Sequence, residues 1–528
     1  MPLALQALLP FIALLGAAAI VLRRPRRSGN GWIACGATGL AGIIALIELL
    51  RLAPGEHVDV PYLTTFPYAD LAIRLDGLSL ALATVTLITA ALLMLARQQV
   101  RGDRRDPWFG WLLTSAAACA VIFADNLVLV YIILQLLTLA WSGALDETAP
   151  RRRGLRLSVQ IADTGLLLAA ASAIQSVGTS AFSGVPSDTF GVPTFVLVLV
   201  PVVVRIGSLA MVLRGPQAPV AFEPAIAWVA PAGYLLLRLL AVMGGRLPDR
   251  ASAVVLFGVG ALMALGFAAS AVFERAAPRL TALLLVAQAA LAVALSTGSD
   301  PLMTVASTWL WLFLVPLAGL ANVRVPAGSA AEGLTLLNLA MVPGSVAFVG
   351  LWLGGLALNA RGLLFGMIPV GLAAALAVIA TLRRAVVPRS IGLDLGTAWA
   401  GALLLIAAFP ILVIGPLVVP AAATVRSVPG GTISATLFGI ASIAGSWPAL
   451  IVTLVVTVVL WLTGWWLRLK APTLPSPRGG GKRLARALAF PRMRERLATV
   501  WPPMVPPWGR VVLWGAFVAA VGIVVTRP

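Results

Sequence analysis

The chain reads as an all-α polytopic membrane protein of about 16 transmembrane helices, and three observations lead there. Of its 528 residues, 60% are hydrophobic and only 11% are charged, which excludes an ordinary soluble globular protein. Sixteen apolar runs fill it, most long enough for the roughly 20 helical residues that a bilayer requires. Its positive charge sits in every second gap between those runs. If the first gap is side A and the sides alternate, side A holds 29 of the 38 Lys and Arg. Side B holds seven: Arg51, Arg74, Arg246, Arg250, Arg361, Arg426 and Arg527; Arg205 and Arg238 fall inside spans. A miscounted run would scramble this pattern, so the asymmetry supports the count.

In chain order the runs are 3–22, 31–51, 76–96, 107–124, 126–145, 155–178, 191–213, 224–244, 252–273, 279–297, 302–322, 333–358, 362–382, 394–418, 447–467 and 511–526. Arginine-rich gaps stay in the cytoplasm. Side A is then cytoplasmic, the expected location is a bacterial inner membrane, and both termini face outward. The first run has no charge before it and RRPRR (23–27) after it, the reverse of a secretory signal, so it reads as a retained helix. Residues 1–418 form a transmembrane core of about 14 spans. Residues 419–528 form a C-terminal extension with two more.

Two gaps are long. Residues 420–445 are small and polar and read as a re-entrant or surface helix. Residues 468–509 begin with APTLPSPRGGG and continue into an Arg-rich amphipathic stretch suited to the cytoplasmic membrane surface. The basic cluster across 468–510 matches anionic lipid headgroups or a cytoplasmic partner. The formal charge of +19 is a topology signal, and no nucleic acid is expected.

Cofactors and metals are not expected. Cys35 and Cys119 lie in separate runs, the sole histidine, His57, is in an outer gap, and both lysines belong to 468–510. There is no Gly-rich phosphate loop with its Lys.

Spans 7 and 12 are interrupted, by GSLAMVLRGPQAP (207–219) and LAMVPGSVAFVG (339–350). Breaks five spans apart point to two inverted five-helix repeats, spans 4–8 and 9–13.

At about 1.5 Å rise per residue, Asp163 lies about 12 Å from the cytoplasmic end of span 6. Arg205 in span 7 and Gln135 in span 5 fall near the same level. Intramembrane charges pair inward, so an Asp163–Arg205 ion pair near Gln135 is the leading site, either in an ion path or as a fixed polar tie. Glu223 opens span 8 as a cap or a proton entry. Arg238 is a further path candidate, or it snorkels to the surface. Asp76 and Asp125 read as helix caps. Glu48 and Arg51 form an i,i+3 pair, and Trp108 and Trp111 are interface anchors.

Several segments together resemble the antiporter-like subunits of respiratory complex I and Mrp-type cation/proton antiporters, with subunit L features. These are DGLSL (76–80), NLVLVYIILQLL (126–137), VQIADTG (159–165), GPQAPVAFEPAIAWVAPAGYLLLR (215–238), PRLTALLLVAQ (278–288) and VPG (342–344). The resemblance implies a non-catalytic membrane subunit of an NADH-quinone oxidoreductase-like, hydrogenase-like or transport complex. Other membrane subunits would be its partners, and a soluble cytoplasmic catalytic subunit is possible. It also leaves open the membrane half of an inorganic-carbon uptake complex, or a degenerate scaffold docking a catalytic partner.

The proton-relay positions depart from the family. Its span-5 glutamate is Gln135. Its span-7 lysine falls in the aliphatic stretch before Arg205. Its span-8 histidine is Pro224, beside Glu223. Its span-10 lysine is Pro278, its span-11 lysine lies near Trp311, and its span-12 charge is about Leu351. Glutamine does not titrate and arginine stays protonated. The family's relay therefore has no obvious stations here.

Overall fold

The computed structural model describes residues 3–23, 29–63, 71–98, 107–143, 150–187, 190–212, 222, 224–274, 276–297, 300–323, 329–382, 394–436, 439–442, 444–448, 451–452 and 455. Helices cover each of the first fourteen apolar runs. They are α1 (Leu3–Arg23), α2 (Asn30–Arg51), α3 (Gly77–Gln98), α4 (Trp108–Phe123), α5 (Leu127–Gly143), α6 (Pro150–Val177) and α7 (Val192–Val212). Next come α8 (Pro224–Val242, opening with a π turn), α9 (Arg250–Phe273), α10 (Ala277–Leu295) and α11 (Pro301–Ala321). Run 12 is split into α12 (Ala330–Leu339) and α13 (Val346–Ala360). Then follow α14 (Leu364–Leu382), α15 (Leu395–Ala408) and α16 (Ile411–Val425).

Eight of these helices are long and apolar enough to cross a membrane, or nine if α15 and α16 count as one bent span; five more are shorter and apolar. The described residues are thus a multi-pass helical membrane bundle, with fewer full-length spans than the sixteen expected. The last run, most of the fifteenth and the amphipathic 468–509 segment lie outside the described residues.

Side-chain polarity sets the helix starts. Asp249, Asp300, Ser329, Ser345 and Asp394 each accept a hydrogen bond from a backbone N–H in the first turn of α9, α11, α12, α13 and α15. The bundle centre is α3, α8, α10 and α11, which are buried along most of their lengths. At the periphery, α2, α9 and α14 turn Leu50, Leu262 and Phe365 outward, as lipid permits. Gly260 of α9 lies so close to α10 that a Cβ would stand 2.7 Å from the Ala290 carbonyl oxygen.

The two expected breaks fare differently. The break in run 12 is present: Met341 and Gly344 take positive φ (56° and 92°), and Ser345 restarts the helix. For run 7, α7 is continuous through Val212, and 213–221 lies outside the described residues. A break that was not foreseen bends α15 and α16 by 96°, at Phe409 and Pro410. Proline there has no N–H for the preceding turn.

The 420–445 segment is not a single surface or re-entrant helix. It completes α16 and then forms an antiparallel sheet, β3 (Ile433–Thr436), β4 (Gly439–Ser442) and β5 (Gly445–Trp447). Taking strands in chain order, the loop after α2 also folds as a hairpin, β1 (His57–Leu63) with β2 (Leu71–Asp76). Trp108 and Trp111 are buried among the helices rather than anchored at an interface. Glu48 and Arg51 do pair, at 3.1 Å.

The even-numbered gaps meet at one end of the bundle. Ile73 of β2 bridges Ala124, and Asn126 bridges Ala181. Gly244 lies against Ser187, and Gly245 lies against the Arg426 side chain. Five gaps far apart in sequence, around Ile73, Asp125, Ala181, Gly245 and Arg426, thus pack on one another, as the alternation of runs demands.

Candidate functional site: two buried ionic clusters

The first cluster joins α6 to α7. Arg205 donates from both terminal nitrogens to the Asp163 carboxylate, Nη1 to Oδ1 at 2.5 Å and Nη2 to Oδ2 at 2.8 Å. Asp163 is 0% exposed and Arg205 2%. A planar guanidinium matches a carboxylate in this two-point geometry. The local sequence allows the approach. Pro201 has no N–H for the Leu197 carbonyl one turn earlier, and Gly165 of α6 lies directly against that carbonyl, where a Cβ would stand 2.5 Å away. Arg205 also reaches the Pro201 carbonyl at 3.4 Å.

Gln135 lies on α5, which packs on α6. Its Nε2 is enclosed without a hydrogen-bond partner. No hydrogen bond joins it to the Asp163–Arg205 pair among the described residues. Glu223 lies outside the described residues.

The second cluster was not read from the sequence as a unit. Arg238 does not snorkel. It is 2% exposed, and its Nη1 donates to Asp76 Oδ2 at 2.6 Å while Nε donates to the Tyr234 hydroxyl at 3.2 Å. Tyr234 in turn donates to the Ala124 carbonyl at 2.8 Å. Asp76 does cap α3, accepting from the Ser79 N–H at 2.9 Å, but it also holds Arg238 and the Arg74 Nε at 3.2 Å. Asp125 is not a helix cap. Its Oδ2 accepts from the Ser183 hydroxyl at 2.6 Å, while Oδ1 stands 3.6 Å from Arg74 Nη1. Asn126 caps α5 instead, through the Leu129 N–H at 2.6 Å.

The two carboxyls differ in environment. Burial works against the charge of Asp76, but Arg238, the Ser79 N–H and Arg74 outweigh it and hold the carboxyl below its ordinary range. Burial dominates at Asp125 and, with the nearby charge of Asp59, pushes its carboxyl up despite Ser183, Arg74 and Arg238. Its place inside a span marks Arg238 in the sequence. Asp76 and Asp125 sit at run boundaries, where an acidic residue reads equally well as a cap.

A third polar contact closes the run-12 break. Gln288 of α10 donates to the Asn338 and Leu339 carbonyls, at 3.2 and 2.8 Å, at the end of α12. A neutral amide thus satisfies carbonyls that the helix break leaves open. Trp311 is buried and donates to the Ser296 hydroxyl at 3.1 Å, and Leu351 is buried. Among the described residues, no group of three or more His, Cys, Asp and Glu is placed to hold a metal.

Fold and clusters together define a polytopic helical membrane protein with charges paired inside the bundle. The same fold occurs in chains of an Mrp complex and of respiratory membrane complexes. The chain is similar to one from the Mrp complex of Dietzia sp. DQ12-45-1b (17% identity, TM-score 0.63), covering 100% of this chain and 63% of that one. It therefore spans less than two thirds of that Mrp chain. A chain of the membrane-bound sulfane sulfur reductase, an archaeal respiratory membrane complex, is similar over 98% of this chain and 100% of its own (14% identity, TM-score 0.68). A chain of respiratory complex I from Thermus thermophilus is similar over 81% and 100% (17% identity, TM-score 0.64). No protein-family model and no curated protein matches the sequence. At these identities the likeness establishes the fold.

Proposed function

We propose that the chain is the membrane subunit of a multisubunit ion-translocating complex, related to the antiporter-like subunits of complex I and Mrp antiporters. In this reading most of the family's relay residues are replaced. The observation that carries it is the fold likeness, over 81% to 100% of this chain, to chains of three such assemblies. The ordered sequence motifs between residues 76 and 350 support it independently. Other membrane subunits are its partners, with a soluble cytoplasmic subunit and anionic lipid at 468–510 as further contacts. The membrane is a bacterial inner membrane, and the even-gap end of the bundle faces outward, as the arginine asymmetry requires. The inverted repeats are runs 4–8 and 9–13. In both, successive helices pack as neighbours and the first contacts the last, α4 with α8 and α9 with α14.

A second reading is that the subunit docks and braces partners without carrying ions. The two-point Asp163–Arg205 pair favours it, because an arginine held this way does not exchange its proton. Purification of the tagged full chain in mild detergent, followed by identification of co-purifying chains, tests the first proposal. Redox or antiporter membrane subunits are the expected result. A lone soluble partner carrying a zinc-enzyme fold would instead indicate an inorganic-carbon uptake complex.

A further inference from the structure

We propose that the Asp125 carboxyl is a proton-binding site at the even-gap end of the bundle, with Asp76 as its permanently ionised neighbour. The argument is geometric. Asp76 accepts hydrogen bonds from Arg238, Arg74 and the Ser79 N–H, so both of its oxygens have donors. Asp125 is equally enclosed, at 2% exposure, yet it accepts only from the neutral Ser183 hydroxyl. Its Oδ1 has no hydrogen-bond donor, and the nearest cation, Arg74, is 3.6 Å away and already engaged with Asp76. Three carboxylates, Asp59, Asp76 and Asp125, therefore share Arg74, and Asp76 holds it most closely. When environments separate two carboxyls in this way, the less compensated one takes the proton.

The groups facing Asp125 come from each element packed around it. Arg74 and Asp76 belong to β2, and Asp59 of β1 stands 3.8 Å from Arg74. His57, also of β1, lies 3.6 Å from Asp59. Arg238 and Tyr234 come from α8, and Ser183 comes from the turn after α6. The proton passes between Asp125 Oδ1 and bulk water beside the hairpin, where Asp59 is 32% exposed and Arg74 15%. Protonation removes the claim of Asp125 on Arg74, which then serves β1 and Asp76 alone. The hairpin's tie to the α4–α5 junction thereby becomes sensitive to pH on that side. This inference does not depend on whether the chain moves an ion.

The test is infrared difference spectroscopy of the full chain in lipid nanodiscs, titrated from neutral to acid pH. A protonated-carboxyl band should grow in, with a midpoint above that of an ordinary aspartate. This raised-midpoint component should vanish in Asp125→Asn and persist in a variant of the exposed Glu56, Glu56→Gln. Ser183→Ala removes the one hydrogen bond that favours the ionised form, so it should raise the midpoint by about one pH unit. If Asp125→Asn does not fold, the Ser183→Ala shift decides. A band that survives in folded Asp125→Asn, its absence in the wild type, or an unmoved or lowered midpoint in Ser183→Ala would each overturn the proposal.

Discussion

Removing either partner of the Asp163–Arg205 pair leaves the other charged, desolvated and without a counterion. Both side chains are almost wholly buried, and the guanidinium makes two hydrogen bonds to the carboxylate. An exposed ion pair contributes about 0–1 kcal/mol. Breaking a buried one by deleting a single partner costs about 3–5 kcal/mol, whereas replacing both with neutral groups is often nearly neutral. Asp163→Asn and Arg205→Gln should therefore each destabilise strongly, and the double variant should recover most of the loss. The coupling should be several kcal/mol, well above the roughly 0.3–0.5 kcal/mol error of additivity for independent sites. Thermal unfolding in detergent, together with the yield of monodisperse protein, provides the measurement. Losses that simply add in the double variant would refute the pairing and the depth reasoning behind it.

Four further outcomes are expected. Gly165→Leu places side-chain atoms against the Leu197 carbonyl, forces α6 away from α7, and should lower stability by about 1–3 kcal/mol or more in the same unfolding assay. Arg238→Gln should cost less than Arg205→Gln, because Asp76 keeps Arg74 and the Ser79 N–H whereas Asp163 keeps no cation, and Tyr234→Phe should cost about 1 kcal/mol through the lost Ala124 hydrogen bond. The raised Asp125 carboxyl means the folded state binds its proton more readily than the unfolded state. Its contribution therefore favours folding increasingly as pH falls from neutral through the folded pKa towards the ordinary 3.8. Asp125→Asn should flatten that part of the stability–pH curve, as read by unfolding across a pH series.

Much of the bundle was legible because bilayer physics writes itself into sequence at low resolution. Run length gives helices, and arginine placement gives parity, so even the depth match of Asp163 and Arg205 follows from counting residues. The Val342–Pro343–Gly344 break was legible because a Pro–Gly pair inside an apolar run has no other use. The bend at Pro410 was not, since single prolines are common in membrane helices and are usually absorbed. The two small sheets were missed for another reason. HVDVPYL and LAIRLD carry short β patterns in a gap that was read only for charge. The second ionic cluster depends on the β1–β2 hairpin, because β2 delivers Arg74 and Asp76 to Arg238 across 162 residues of chain. A boundary aspartate that caps a helix and one that also neutralises a distant arginine look identical in one dimension.

The central claim is that this chain keeps the antiporter-like fold without the family's titrating relay. Its most direct test is proton uptake by proteoliposomes containing the chain alone, followed with an internal pH-sensitive dye under a potassium-diffusion potential. Wild type, Gln135→Glu and Asp163→Asn should be compared at matched reconstitution. The account predicts no uptake by the wild type above protein-free liposomes, because the relay positions are Gln135 and Pro224 and no lysine lies in any apolar run. Robust wild-type uptake that disappears in Asp163→Asn would contradict it and make Asp163 a proton carrier.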